Sequence, residues 1–305
     1  MDTLSNSKTW WPAPAKLNLM LRITGQRSDG YHELQTVFQL LDYGDKLAFE
    51  LRDDGKIIKK TPLHDVGIKD GLATRAAKLL QQTCGVDLGV DIDLDKRIPM
   101  GSGLGGGSSD AATTLLVLNQ LWACHLDIDT LAALGATLGA DVPVFVRGHS
   151  AWAEGIGERL TPINLPATQY LVVCPPVHLS TASMFADPLL ARQQPPIRRQ
   201  DFDQGERGNA FTAVARARSH DIDALFEQLA RYGTPQLTGS GAAVFCAFAP
   251  NDPSIEHAAC ALPKHLKYFI AQGLNTSPLH AMLAMQTAKQ APRHQKNLHK
   301  VVQSL

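Results

Sequence analysis

The sequence has no surplus of charge and no long apolar run. Its 29 lysine and arginine residues are balanced by 29 aspartate and glutamate residues, which gives a formal net charge of zero. Nucleic-acid-binding proteins usually carry a basic surplus that neutralises phosphates. A membrane-spanning helix needs about 20 consecutive apolar residues, and no segment of the sequence has them. We therefore expect neither a nucleic acid nor a membrane as a partner.

Paired cysteines and clustered histidines are also missing. The five cysteines are dispersed and form no CxxC pair, and the 11 histidines form no HExxH motif. This pattern is typical of free thiols in a reducing compartment rather than of a disulfide framework or a zinc site. The N-terminus lacks the charged and apolar regions of a secretory signal. These absences together predict a cytoplasmic protein.

Apolar residues make up 44% of the chain, enough for a sizeable core. Strand and helix patterns alternate, which predicts an α+β or α/β protein. We expect strands over 15–23, 34–41, 46–52, 90–94 and 142–146, and helices over 72–82, 129–138 and 221–232. The predicted domains are residues 10–160 and 161–285. A basic tail, residues 286–305, is expected to be disordered.

Glycine is concentrated in one segment, GSGLGGGSSD, over residues 101–110. Glycine has no Cβ, so its backbone can adopt left-handed angles and approach an anion closely. Successive N–H groups can then converge on a phosphate, which the start of a following helix also favours. We expect Ser109 or Asp110 to cap that helix, and Ser108 and Ser109 to offer hydroxyls to a phosphate or its magnesium ion. The segment predicts a phosphate-binding loop.

Three known phosphate loops can be compared with this segment. Walker A requires a lysine after the last glycine, and none is present. The protein-kinase motifs HRD and DFG are missing. Gly101, Gly103 and Gly106 do satisfy GxGxxG, but a polar segment, residues 95–99, separates them from the preceding strand, where a dinucleotide-binding unit turns at once. A dinucleotide-dependent oxidoreductase stays as an alternative.

Three motifs in order resemble those of the GHMP kinases, the superfamily of galactokinase, homoserine kinase, mevalonate kinase and phosphomevalonate kinase. They are PAKLNL at 14–19, the glycine loop at 99–109 and LTGSGAAVF at 237–245. The resemblance implies a two-domain α+β fold with the active site in the cleft between the domains. It also implies that ATP and Mg²⁺ are used.

Three further segments resemble one branch of that superfamily: 25–36, 138–145 and 275–280. Members of the branch phosphorylate the 2-hydroxyl of 4-diphosphocytidyl-2-C-methyl-D-erythritol in the non-mevalonate route to isoprenoid precursors. Another GHMP kinase is one alternative, and Gly30-Tyr31-His32 argues against it. A superfamily member that senses a ligand without catalysis is a second alternative. The presence of both Lys16 and Asp141 argues against a non-catalytic protein.

The resemblance assigns roles residue by residue. Lys16 and Asp141 match the catalytic pair, with Asp141 as the base for the attacking hydroxyl. Asn18, Tyr31, His32 and Phe185 match positions that bind substrate, the last three around the cytidine. Orientation of Lys16 is the alternative role for Asn18. Gly71 stands where relatives commonly carry an asparagine that helps to bind adenine, so the adenine contact does not carry over. The implied nucleotide-binding residues are Pro99, Met100, Gly101, Ser102, Gly103, Leu104, Gly105, Gly106, Gly107, Ser108 and Ser109.

Overall fold

The computed structural model describes residues 8–60 and 71–286. The tail predicted at 286–305 lies outside the described residues except for its first position. Within the described ranges, no helix is long and apolar enough to cross a membrane.

The described residues form an α+β fold, as predicted, around one large mixed sheet. The strands are β1 Trp11–Gln26, β2 His32–Arg52, β3 Ile57–Lys59, β4 Gly89–Asp95, β5 Ala151–Gly155, β6 Arg159–Pro162, β7 Gln169–Cys174, β8 Gly208–Asn209, β9 Gln236–Leu237, β10 Val244–Phe248 and β11 Lys267–Leu274. The helices are α1 Leu72–Cys84, α2 Gly106–Leu121, α3 Ile128–Leu138, α4 Val142–Arg147, α5 Thr181–Phe185, α6 Arg199–Asp203, α7 Thr212–Arg218, α8 His220–Leu229 and α9 Ser254–Cys260.

The central path of the sheet runs β3-β4-β2-β11-β7-β10-β9, with β1 paired to β2. Most pairs are antiparallel, while β3–β4 and β1–β8 are parallel. The late strand β11 pairs with β2 on one side and with β7 on the other, and so joins the two halves of the chain. The division into domains at about residue 160 stays a prediction.

Strand β1 is buried on both faces. The alternating residues Leu17, Leu19, Leu21 and Ile23 are all buried, as expected for one face of a strand. Lys16, Asn18 and Met20 are also buried, because β1 lies between α2 and the glycine turn that follows β9. Two polar side chains are therefore held inside the molecule on a strand, where each needs a partner.

The segments 34–41 and 46–52 both lie in one strand, β2, which runs through the polar residues between them. Asp42 accepts a hydrogen bond from the backbone N–H of Gln272 at 2.7 Å. Asp45 is buried and accepts from the backbone N–H groups of Arg97 and Ile98. These carboxylates bind neighbouring backbone, so the polar stretch needs no turn.

Two local predictions around the helices are wrong. Helix α2 begins at Gly106 with Gly105 as its N-cap, not at Ser109 or Asp110, both of which are buried in its first turns. The strand expected at 142–146 is helix α4, whose N-terminal proline, Pro143, suits the first turn of a helix. A short apolar run is compatible with either a buried strand or a buried helix, since periodicity does not separate them.

Gly44 predicts a stability effect, because a Cβ there would lie 2.2 Å from the carbonyl oxygen of Ala13 on the paired strand β1. Backbone cannot yield as a flexible side chain does. We expect Gly44→Ala to lower the free energy of unfolding by about 1–3 kcal/mol, measured by urea denaturation. Gly233→Ala, where the nearest atom is 4.0 Å away, is the control and should change it little. Equal stability of the two variants would contradict the assigned contact.

Candidate active site

A single cleft of about 810 Å³ opens beside β1, β2 and the glycine loop. Its walls come from β1 and β2, the loop before α2, the start of α4, α5 and the glycine turn after β9. The residues that line it include Lys16, Asn18, Tyr31, His32, Thr36, Pro99, Gly101–Ser108, Asp141, Phe185, Phe211, Gly239 and Ser240. The structure thus brings almost all of the residues selected from the sequence to one cavity.

Lys16 and Asp141 meet at the floor of the cleft. Lys16 is on β1, its side chain is 2% exposed, and its Nζ lies 3.1 Å from Asp141 Oδ2. The backbone N–H of Lys16 donates to the carbonyl of Leu104 at 3.0 Å and so attaches β1 to the glycine loop. Asp141 immediately precedes α4, and its side chain is 34% exposed. The predicted pair is therefore a direct ion pair with a buried cation and a carboxylate that faces the cleft.

Asn18 fixes the position of the lysine. Its side-chain Oδ1 accepts hydrogen bonds from Lys16 Nζ at 2.5 Å, from the Gly239 backbone N–H at 2.9 Å and from Thr238 Oγ1 at 3.4 Å. Its Nδ2 donates to Thr36 Oγ1 at 2.9 Å. A buried amide satisfied by this many partners restrains each of them. Of the two roles considered for Asn18, the contacts support the orientation of Lys16.

The glycine loop packs closely against the rest of the site. Gly101, Gly103 and Gly105 have φ values of 68°, 79° and 74°, in the left-handed region that disfavours other residues. A Cβ on Gly103 would lie 2.2 Å from the carbonyl oxygen of Thr238. A Cβ on Gly105 would lie 2.9 Å from the Phe145 ring and 3.1 Å from Lys16 Cγ. Glycine is thus required here by the backbone angles and by the neighbouring residues.

The start of α2 presents backbone donors to the cleft. The N–H groups of Gly106, Gly107 and Ser108 fall in the first helical turn, where no intrahelical acceptor is available. Those groups and the helix dipole favour an anion at this position. Two of the predicted loop residues do not line the cleft. Met100 is 49% exposed outside it, and Ser109 is fully buried, with an Oγ that has no hydrogen-bond partner.

A cluster of buried charged side chains lies next to the glycine loop. None of the sequence motifs indicated this cluster. Lys96 Nζ donates to Asp45 Oδ2 at 2.5 Å and to Asp110 Oδ2 at 2.9 Å. Burial raises the pKa of Asp110 to about 7, with Asp45 acting in the same direction and Lys96 opposing it. The cluster ties the strand before the loop to β2 and to α2. It therefore fixes both ends of the loop.

The three residues assigned to base recognition lie at one end of the cleft. The rings of His32 and Phe185 are stacked, with centroids 4.7 Å apart, and Phe211 meets Phe185 edge-on at 4.9 Å. Tyr31 is 61% exposed beside them. His32 Nε2 is buried and has no hydrogen-bond partner among the described residues, and burial, followed by the charge of Arg192, lowers the pKa of His32. A neutral imidazole with an unused nitrogen suits a hydrogen bond to a ligand.

Several residues of the site were not selected from the sequence. Thr238, Gly239 and Ser240 belong to one of the motifs that resemble those of the GHMP kinases, so a signal for them was present in the sequence. Thr36 and Phe211 carry no local signal, because only the fold places them beside Asn18 and Phe185.

The family model of the GHMP kinase N-terminal domain matches residues 71–149, the part of the chain that contains the glycine loop and Asp141. A solved mevalonate kinase from Methanococcus jannaschii superposes with a TM-score of 0.64 over 89% of this chain and all of that chain. It is 16% identical and shows the fold alone. The fold is that of the GHMP kinases.

Closer relatives share a single name. A 4-diphosphocytidyl-2-C-methyl-D-erythritol kinase from Pseudomonas syringae is 52% identical over 89% of this chain and 96% of its own length. A kinase of the same name from Xanthomonas axonopodis is 51% identical over 92% of this chain and 95% of its own length. A crystal structure of such a kinase superposes with a TM-score of 0.75 over 87% of this chain and 99% of that chain, at 34% sequence identity. This chain belongs to the 4-diphosphocytidyl-2-C-methyl-D-erythritol kinase family. That membership excludes the oxidoreductase alternative.

The loop geometry predicts that Gly105→Val abolishes ATP binding, measured by calorimetry. A branched side chain would collide with Phe145 and Lys16 and resist the positive φ. Gly205→Val is the matched control, since Gly205 also has a positive φ, 109°, but no atom lies within 4 Å of the place that a Cβ would occupy. The control should bind ATP as the unmodified protein does. Undiminished ATP affinity in Gly105→Val would show that the loop does not hold the nucleotide.

Proposed function

We propose that this chain transfers the γ-phosphate of ATP to the 2-hydroxyl of 4-diphosphocytidyl-2-C-methyl-D-erythritol, within the cytoplasm. One observation carries the proposal. The Lys16–Asp141 pair lies in the same cleft as the glycine loop and the cluster of Tyr31, His32 and Phe185. A phosphate donor on the loop and a base-bearing acceptor on the aromatic cluster would therefore both reach that pair.

Each residue of the pair has a distinct chemical role in this proposal. Asp141 accepts the proton of the attacking hydroxyl, for which its exposure to the cleft is suitable. Lys16 holds the carboxylate of Asp141 in place through their ion pair and offsets charge that develops on the transferred phosphoryl group. Phosphoryl transfer depends on positioning and charge stabilisation rather than on covalent catalysis by the protein. The buried hydrogen bond from Lys16 to Asn18 supplies that positioning.

Magnesium enters this proposal as the partner of ATP. Within residues 8–60 and 71–286, no group of three His, Cys, Asp or Glu side chains is arranged to hold a metal ion. Mg²⁺ that accompanies a nucleotide is held largely by phosphate and water, with one or two protein oxygens. Ser108 and Asp141 line the cleft next to the loop and offer such oxygens, whereas Ser109 is enclosed. When bound, the ion neutralises phosphate charge.

The aromatic cluster distinguishes the proposed acceptor from smaller ones. A base needs a flat apolar surface and hydrogen bonds to its polar edge. The rings of Phe185 and Tyr31 offer the first, and the free nitrogen of His32 offers the second. Homoserine and mevalonate have no base to fill this end of the cleft.

Removal of the proposed base is the first test. Asp141→Asn should slow turnover roughly a hundred- to ten-thousandfold while ATP affinity stays nearly unchanged. Lys16→Met should have a similar effect, and the double variant should be much less than additive if the two residues act as one unit. Steady-state ADP release with diphosphocytidyl, homoserine and mevalonate substrates is the measurement.

Asp129→Asn is the control, because Asp129 pairs with Arg147 on the surface and is 76% exposed. It should keep full activity. Near-normal turnover in Asp141→Asn would remove this residue from the mechanism, and a preference for homoserine or mevalonate would assign another substrate.

Truncation of Tyr31 tests base recognition. Stacking of an aromatic side chain on a base is worth about 1–3 kcal/mol, so Tyr31→Ala should raise the KM for the cytidine substrate roughly 5- to 150-fold. The KM for ATP should hardly change. Tyr268→Ala, which removes a 47% exposed tyrosine outside the cleft, is the control. Parallel losses for ATP and substrate in Tyr31→Ala would mean that Tyr31 only packs.

A further inference from the structure

Hydrogen bonds from an arginine side chain stabilise the turn of the chain that follows Phe185. Phe185 is the last residue of α5, and the chain turns back over the next seven residues to Arg192. The Nη2 atom of Arg192 donates to the carbonyl oxygens of Phe185 and Asp187, both at 2.8 Å. Hydrogen bonds from a charged donor are stronger than those between neutral groups. The guanidinium therefore fixes the backbone that carries the Phe185 ring.

Other contacts attach the same segment to α7. Asp187 is buried and accepts from Arg218 Nε at 2.6 Å, while Arg218 Nη1 donates to Ser183 Oγ at 2.9 Å. This network attaches Ser183 and Asp187 to α7. Arg192 instead bonds to the backbone carbonyl of Phe185 itself. The orientation of the Phe185 ring depends on Arg192 more directly than on Arg218.

Arg192 forms no ion pair with a described residue. Over the described ranges, 8–60 and 71–286, its hydrogen bonds go to backbone carbonyls, with no carboxylate at ion-pair distance. Burial, followed by the charge of Arg192, lowers the pKa of His32, and the same charge contributes to the lowered pKa of Asp187. Arg192 itself does not line the cleft. Arg192 thus acts on both Phe185 and His32 without contacting the space that a ligand would occupy.

We propose that Arg192 is a positioning residue for base recognition, holding the backbone of Phe185 so that its ring meets His32 at the substrate end of the cleft. The proposal deepens the function proposed above and rests on it for the identity of the base. The resulting effect is on affinity for the cytidine half of the substrate. The lysine–aspartate pair and the phosphate loop are untouched.

Arg192→Met, which keeps much of the side-chain volume but removes the donors and the charge, is the main test. It should raise the KM for the cytidine substrate roughly 5- to 50-fold and leave kcat and the KM for ATP within about twofold. Arg192→Lys keeps the charge and some donors but not the planar fork, and should show a smaller rise. Arg199→Met removes a surface arginine paired with Asp203 and should match the unmodified protein.

A second measurement uses the free protein. The pKa of His32, followed by NMR titration of its ring protons, should rise in Arg192→Met and stay low in Arg192→Lys. This arm needs no substrate, so it tests the action of Arg192 on His32 even if the unmodified protein turned over no cytidine compound and the proposed function failed. Should the methionine variant fail to fold, the lysine variant's KM carries the comparison, and a value equal to that of the unmodified protein counts against the proposal.

Two results would overturn the role of Arg192. One is an unchanged KM for the cytidine substrate together with an unchanged His32 titration in Arg192→Met. The other is an equal rise in KM for ATP and for the cytidine substrate, which would show a general loss of structure.

Discussion

The buried ammonium group of Lys16 is the constraint on which the rest of the site depends. A cation with 2% side-chain exposure is costly unless opposite charge and hydrogen-bond acceptors surround it. Asp141 supplies the charge and Asn18 supplies the acceptor. Asn18 also accepts a hydrogen bond from the Gly239 backbone N–H. The contacts that stabilise the charge of Lys16 therefore hold β1, α4 and the glycine turn after β9 together. The same arrangement leaves the carboxylate of Asp141 facing the cleft.

Close backbone packing then gives the glycine loop its shape. Gly103 lies against Thr238, and Gly105 lies against Lys16 and Phe145, so the loop fits between two motifs from opposite ends of the chain. The cluster of Lys96, Asp45 and Asp110 holds the loop from the other side. In the proposed function, a phosphate that enters the cleft would meet donors that are already in position, and little ordering would remain to be done on binding.

The sequence predicted those parts of the molecule whose signal is local. The helix over 72–82 and the strand over 90–94 are confirmed as α1 and β4, because their periodicity is unambiguous. The strand prediction failed at α4 because six mostly apolar residues carry no decisive period. Polar residues inside β2 and the partners of Lys96 and Arg192 were missed for a different reason. Their contacts depend on how the chain folds back on itself, and a residue type alone does not reveal them.

The position of β11 has a consequence for how the polypeptide acquires its structure during synthesis. Leu40 and Leu41 of β2 pair with the end of β11, at Leu274 and Gly273, and Asn18 has hydrogen-bond partners at Thr238 and Gly239. Both sets of partners stand in the last third of the chain. A ribosome that has released only the first 160 residues has produced α2, the glycine loop, β4 and β5, but Leu40 and Leu41, between the stretches of β2 that pair with β5 and β4, still lack their partner strand. An unpaired strand edge is a template for association with other chains, and distant pairings of this kind form slowly. This short stretch of β2 therefore stays open to other chains until β11 emerges.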